Sequence, residues 1–120
     1  MSLVVVNMKR RLILSIFLLL RYDAHVLDPL AGFQFTTGTF YKLAMNIKEL
    51  SQDLCGGRCV FFLEGGYNLK SLSDSVSDSF RALLGDASLS NKLDNPAILY
   101  DEPSLLVRKA VDQVKAIHCL

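Results

Sequence analysis

The chain has 120 residues, 51% of them hydrophobic and 21% charged, with a formal net charge of +1 at pH 7. That length sets an upper bound of one small domain, and charges of both signs scattered after the first dozen residues exclude a basic face for a nucleic-acid backbone, and with it direct nucleic-acid binding. Cys55, Cys59 and Cys119 are an odd number without repeated spacing, which excludes a disulfide framework and points to a reducing compartment (nucleus, cytoplasm or organelle matrix).

Lys9, Arg10 and Arg11 precede an apolar run over 12–20. Basic then hydrophobic is the order of a signal sequence or anchor, but a nine-residue run falls short of the about 20 that cross a bilayer. Arg21 and Tyr22 also stand where a small-residue cleavage site would be. A mostly apolar stretch of this length without alternation suits a parallel strand covered on both faces, which is the favoured reading; a signal or anchor, or a leader that never orders, are the alternatives.

A loop over 22–35 follows, carrying Asp28, Pro29 and Gly32. Thr36 or Thr37 is placed to cap a helix running to about residue 54, with Phe40, Leu43, Ala44, Ile47, Leu50 and Leu54 on one stripe, and Gly56 and Gly57 stop it. Residues 59–63 read as a second buried strand, with Cys55 and Cys59 as small side chains beside it rather than as a structural zinc pair. A turn over 64–68 leads into a second helix over 69–84, whose apolar face is Leu72, Val76, Phe80 and Leu83 and whose end is Gly85. Residues 86–103 form a long polar connector holding Pro96 and Pro103. A last helix over 104–117 repeats Leu106, Ala110, Val114 and Ile117, with Arg108, Lys109, Asp112 and Lys115 on its solvated side. Strand, loop, helix, strand is a βαβ unit, so the fold class is α/β with parallel strands and flanking helices.

In such sheets ligands collect at the carboxyl ends of the strands, which singles out the loops after residues 20 and 63. On an extended backbone, Asp23 and His25 would point the same way, either as two metal ligands or as an ordinary surface acid and histidine. Gly65 and Gly66 allow close approach to the main chain. Tyr67 beyond them offers a hydroxyl to a developing oxyanion, unless the glycines are structural and the tyrosine simply packs.

Three blocks occur in order: Tyr22-Asp23-Ala24-His25, Asp28-Pro29-Leu30-Ala31-Gly32 and Leu63-Glu64-Gly65-Gly66-Tyr67-Asn68-Leu69. Together they resemble the class II and acetylpolyamine-hydrolase-like branch of the histone deacetylase family, and the tail to residue 120 is similar to its plant organellar-type members. The resemblance implies a partial arginase/deacetylase-type three-layer fold, divided into a divergent apolar leader (1–21) and the C-terminal part of a histone deacetylase domain (22–120). It implies that Asp23 matches a zinc ligand and Tyr67 the catalytic tyrosine that hydrogen-bonds the acetyl carbonyl. Gly65, Gly66, Pro29 and Leu30 would border the substrate, and His25 would not touch the metal. The family activity is Zn2+-dependent hydrolysis of N-acetyl-lysine in a protein or peptide.

Two of the three zinc ligands and the catalytic histidines of that family belong upstream of the matched region and are missing here, and Leu20 and Arg21 replace the small residue and glycine that normally lead into the Asp23 block. The expectation is therefore a truncated segment that does not hold Zn2+ stably and is inactive alone. The alternative is a non-catalytic interaction module that binds full-length deacetylases or co-regulator proteins through faces left uncovered. A small protein anchored to a membrane by residues 9–20 is a third reading.

Overall fold

A computed structural model describes residues 2–7, 13–30, 32–100 and 104–118. The basic triplet Lys9-Arg10-Arg11, Pro103 and Cys119 lie outside the described residues. The apolar run is a strand, β2 (Ile13–Arg21), flanked on one edge by β1 (Ser2–Asn7), which pairs antiparallel and was not expected. On its other edge β2 pairs in parallel with β3 (Cys59–Glu64), in register from Ile16 against Cys59 to Arg21 against Glu64. That register brings the two strand ends side by side. No helix among the described residues is long and apolar enough to cross a membrane.

Between the parallel strands runs α1 (Thr37–Cys55). Thr36 begins it with a reciprocal cap: its hydroxyl accepts from the Thr39 amide at 3.3 Å, while the Thr39 hydroxyl accepts from the Thr36 amide at 3.2 Å. Gly56, left-handed at φ 64°, ends it. The helix buries Phe40, Ala44, Ile47, Ser51 and Cys55, one stripe at helical spacing, toward a sheet face made of Ile16, Leu18 and Leu20. The expected stripe is corrected at its far end. Leu50 and Leu54 are exposed, because Ser51 and Cys55 occupy the inward positions of the last turns.

A second helix, α2 (Leu69–Leu84), starts at Asn68, whose side chain accepts from the Ser71 amide at 3.0 Å, and ends at Gly85. It lies along α1 and buries Ser71, Ser75, Asp78, Ser79 and Ala82, the small and polar side of its surface. Of its apolar row, Leu72 and Val76 pack against the Leu20, Tyr22 and Phe40 cluster, while Phe80 and Leu83 border an open cleft of about 200 Å3 shared with Leu20, Phe61 and Leu63, which leaves Phe80 61% exposed. Small side chains permit close helix approach.

The connector is tied to the body by two carboxylates. Asp94, just past the short α3 (Ser90–Leu93), accepts from the Thr37 and Gly38 amides at 2.8 and 2.9 Å, serving the free N–H groups at the start of α1. Asp78 on α2 accepts from the Ser88 hydroxyl at 2.6 Å and the Leu89 amide at 2.8 Å. Beyond, α4 (Ser104–His118) is exposed along its described length. The α/β class with parallel strands and flanking helices thus stands, with α1 and α2 on one face of the sheet. On the opposite face Phe17 stacks on Phe62 at 6.3 Å, and Val60 and Phe62 are exposed.

Candidate functional site

The chain leaves β2 at Arg21 and folds at once into a single 3₁₀ turn, Tyr22–Ala24. Because this is a turn and not an extended segment, the pairing of Asp23 with His25 as two ligands pointing one way does not form. Tyr22 goes inward, with its ring 4.7 Å from that of Phe40 and its hydroxyl 3.1 Å from Ser79 Oγ; burial pushes its phenol above the ordinary value. His25 is buried as well. Its Nδ1 accepts from the Leu27 amide at 3.1 Å, its backbone bridges to Phe35, and its ring lies nearly parallel to Phe40. Burial holds its pKa below the ordinary histidine value against the pull of Asp94, Asp74 and Asp28. A neutral imidazole accepting at Nδ1 carries its proton on Nε2.

Asp28 binds the two strand-end loops to each other. Its Oδ1 accepts from the Leu30 amide at 3.0 Å, and its Oδ2 accepts from the amides of Tyr67 at 2.7 Å and Asn68 at 3.3 Å. Burial works to raise its pKa, but the three N–H donors outweigh it and hold the carboxyl below its ordinary value. Asn68 completes the clasp by donating from Nδ2 to the Leu27 carbonyl at 3.1 Å. The sequence shows Asp28 only as the first residue of a block, because a cross-loop acceptor has no spacing signature. Pro29 and Leu30 stand exposed at the outer rim.

Asp23 is only 6% exposed, and its Oδ2 accepts from Arg21 Nη2 at 2.7 Å. That hydrogen bond and the carboxylate's charge raise the Arg21 pKa above its ordinary value. From the other loop, Gly65 runs against the same carboxylate: at φ 69° it is left-handed, and a Cβ there would sit 2.7 Å from Asp23 Cγ. Glycine is required on both counts. Gly66, at φ 101°, is similarly pressed against Leu72. Tyr67 follows with its backbone fixed by Asp28 and its side chain in solvent, 59% exposed. A small cleft of about 130 Å3 opens beside Asp23, walled by Leu20, Arg21, Ala24, Phe33 and Phe35.

The structure therefore gathers Asp23, Gly65 and Gly66 at one sheet end, with Tyr67 next in line, sets Pro29 and Leu30 on the rim and turns His25 away. Arg21, which the sequence marked only as a departure from the family pattern, is the group that holds Asp23. Catalytic zinc takes three protein ligands. Among the described residues no three His, Cys, Asp or Glu side chains are grouped to share an ion. The residues present thus do not fit a zinc centre by themselves.

Comparison with known proteins agrees with this architecture. The histone deacetylase domain model matches residues 15–83, from within β2 to the last turn of α2. Histone deacetylase 14, chloroplastic, of Arabidopsis thaliana is 69% identical over 99 residues, covering 82% of this chain and 23% of the relative. Histone deacetylase 10, chloroplastic, of Oryza sativa subsp. japonica is 65% identical over 99 residues, covering 82% and 22%. The human polyamine deacetylase HDAC10 is 42% identical over 65 residues, 54% of this chain and 9% of that protein. The crystal structure of the HDA15 HD domain superposes with a TM-score of 0.51 at 34% identity, over 62% of this chain and 20% of that one. The chain spans less than a quarter of the length of the two chloroplastic relatives. With more than half of its residues matched, and with the matched blocks forming one strand-end site, the chain belongs to the histone deacetylase family.

Proposed function

We propose that the chain is the C-terminal part of a class II-type, zinc-dependent deacetylase domain that hydrolyses the amide of N-acetyl-lysine, with Asp23 at the metal-carboxylate position and Tyr67 as the catalytic phenol. In the same reading, this part alone neither holds Zn2+ stably nor turns over substrate. The observation that carries the site assignment is the meeting of the two strand-end loops, with Gly65 against the Asp23 carboxylate and the backbone of Tyr67 anchored on Asp28.

In this reading the Tyr67 hydroxyl donates to the acetyl oxygen as charge develops on it, a contribution that grows where water is excluded. Gly65 and Gly66 hold this loop close against Asp23 and Leu72, its main chain borders the unbranched alkyl stem, and Pro29 and Leu30 give the rim an apolar edge. The relatives named for histones and for polyamines share one chemistry, an acetyl group on a primary amine at the end of such a stem. An acetylated protein or peptide is the substrate we assign, with deacetylase or co-regulator proteins as the partners that cover the bare faces. The chloroplastic relatives support an organellar compartment.

The test is a fluorogenic acetyl-lysine peptide incubated with the purified chain, with and without added ZnCl2. No turnover above that of Tyr67→Phe is expected. Zinc-dependent turnover that vanishes in Tyr67→Phe would refute the inactivity while retaining the role given to Tyr67, and turnover that survives Tyr67→Phe would remove that role.

A further inference from the structure

The surroundings of the Asp23 carboxylate say more than its position does. One side of it is closed by the Gly65 backbone, so near that a single added carbon would sit 2.7 Å away. Arg21 fills another with its guanidinium, 2.7 Å from Oδ2. The Asp23 side chain is 9% exposed and that of Arg21 is 55% exposed, so the arginine reaches in from solvent while the acid stays under cover.

We propose that the Arg21 guanidinium is the built-in counter-cation of Asp23 and stands where a metal ion would sit, making Asp23 in this chain an ion-pair partner and not an available metal ligand. The proposal rests on the reading above only in taking Asp23 as the residue at the metal-carboxylate position.

Zinc binds a carboxylate oxygen at about 2.0–2.2 Å. An ion on Oδ2 would therefore lie within about 5 Å of Nη2, a dication beside a cation around one shared acid. One of the two has to leave. Arg21 is covalently attached and spans only two residues, so its effective concentration is high. The ion would arrive with no grouped set of three ligands to hold it among the described residues. A buried acid left unpaired is costly, so the Arg21 guanidinium also removes the need for metal to keep this turn folded.

Urea and thermal unfolding of the full chain test the pair, with Arg21→Met, Asp23→Asn, their double variant and Arg21→Lys. If the pair is made, the single losses do not add, and the double variant melts within about 2 °C of Asp23→Asn. Additive losses overturn it. Arg21→Lys, which keeps the charge, is expected to melt nearer the wild type than Arg21→Met does. If lysine and methionine behave alike, the pair is overturned whether or not Asp23→Asn folds. In a parallel arm, ZnCl2 at about 1 mM should shift the melting of wild type and Asp23→Asn equally. A larger shift in the wild type shows the carboxylate open to metal and overturns the proposal while leaving the metal-position reading standing. Neither arm uses turnover, so failure of the deacetylase reading in the peptide assay stays distinct from failure of this one.

Discussion

The loops at the strand ends satisfy their buried polar groups from within, whereas Val60 and Phe62 on one sheet face and Phe80 on α2 are left open to solvent. In the loops, Asp28 takes three backbone donors, Asn68 both accepts and donates, the Tyr22 hydroxyl meets Ser79 and Arg21 meets Asp23. On the outer surfaces, Val60, Leu63, Phe80 and Leu84 find no such completion, and α4 exposes Leu105, Val111, Val114 and Ile117. The difference follows from the two kinds of force. Hydrogen bonds are pairwise and short, and a few dozen residues can supply both partners. Apolar burial needs area from a further layer, and here α1 and α2 supply it on one side of the sheet only.

The contrast breaks most visibly at Asp28. Asp28→Ala removes one acceptor from three amides and is expected to lower stability by about 3 kcal/mol in urea unfolding. A loss under about 1 kcal/mol would mean that the two loops are not braced through this side chain. Its depressed pKa gives the same contribution a pH signature. The stabilisation is fully present above the unfolded carboxyl value of 3.8 and is lost as pH falls through the lower folded value. The gap between wild type and Asp28→Asn should therefore stay constant from neutral pH down to about 5 and close on further acidification.

Next in size is Gly65→Ala, which places a side chain on left-handed backbone and against Asp23. About 2 kcal/mol of destabilisation is expected, set against less than about 0.5 kcal/mol for Gly32→Ala, where nothing lies within 4 Å. Equal effects at the two glycines would remove the argument from close approach. The smallest stability changes belong to the open faces. Val60→Thr and Leu84→Gln should each stay within about 0.5 kcal/mol of wild type while reducing self-association in sedimentation. If either costs several times that, its surface is core, and the comparison drawn here is wrong.

Much of this molecule is written locally. The threonine that starts α1, Asn68 at the head of α2, and Gly56 and Gly85 at the two ends act through residues three or four away, so the helices can be placed from the sequence alone. The apolar runs that become β2 and β3 are equally plain, and the blocks around Asp23, Asp28 and Tyr67 are recognisable as blocks. Tertiary structure decided the rest. An amphipathic helix carries two usable sides, and the serine side of α2 went inward because it lets α1 come close, while Leu72 and Val76 pack against Leu20, Tyr22 and Phe40 and Phe80 and Leu83 are left at the cleft. Nor does sequence show that β1 would pair with β2, that Leu50 and Leu54 would face water, or that a 3₁₀ turn would swing His25 away from Asp23. The parallel register sets Arg21 beside Glu64, on strands about 4.8 Å apart, and from there Gly65 meets Asp23 and Asp28 reaches Tyr67. Contacts between residues some 40 positions apart depend on where two strands end in space, and no spacing along the chain encodes that.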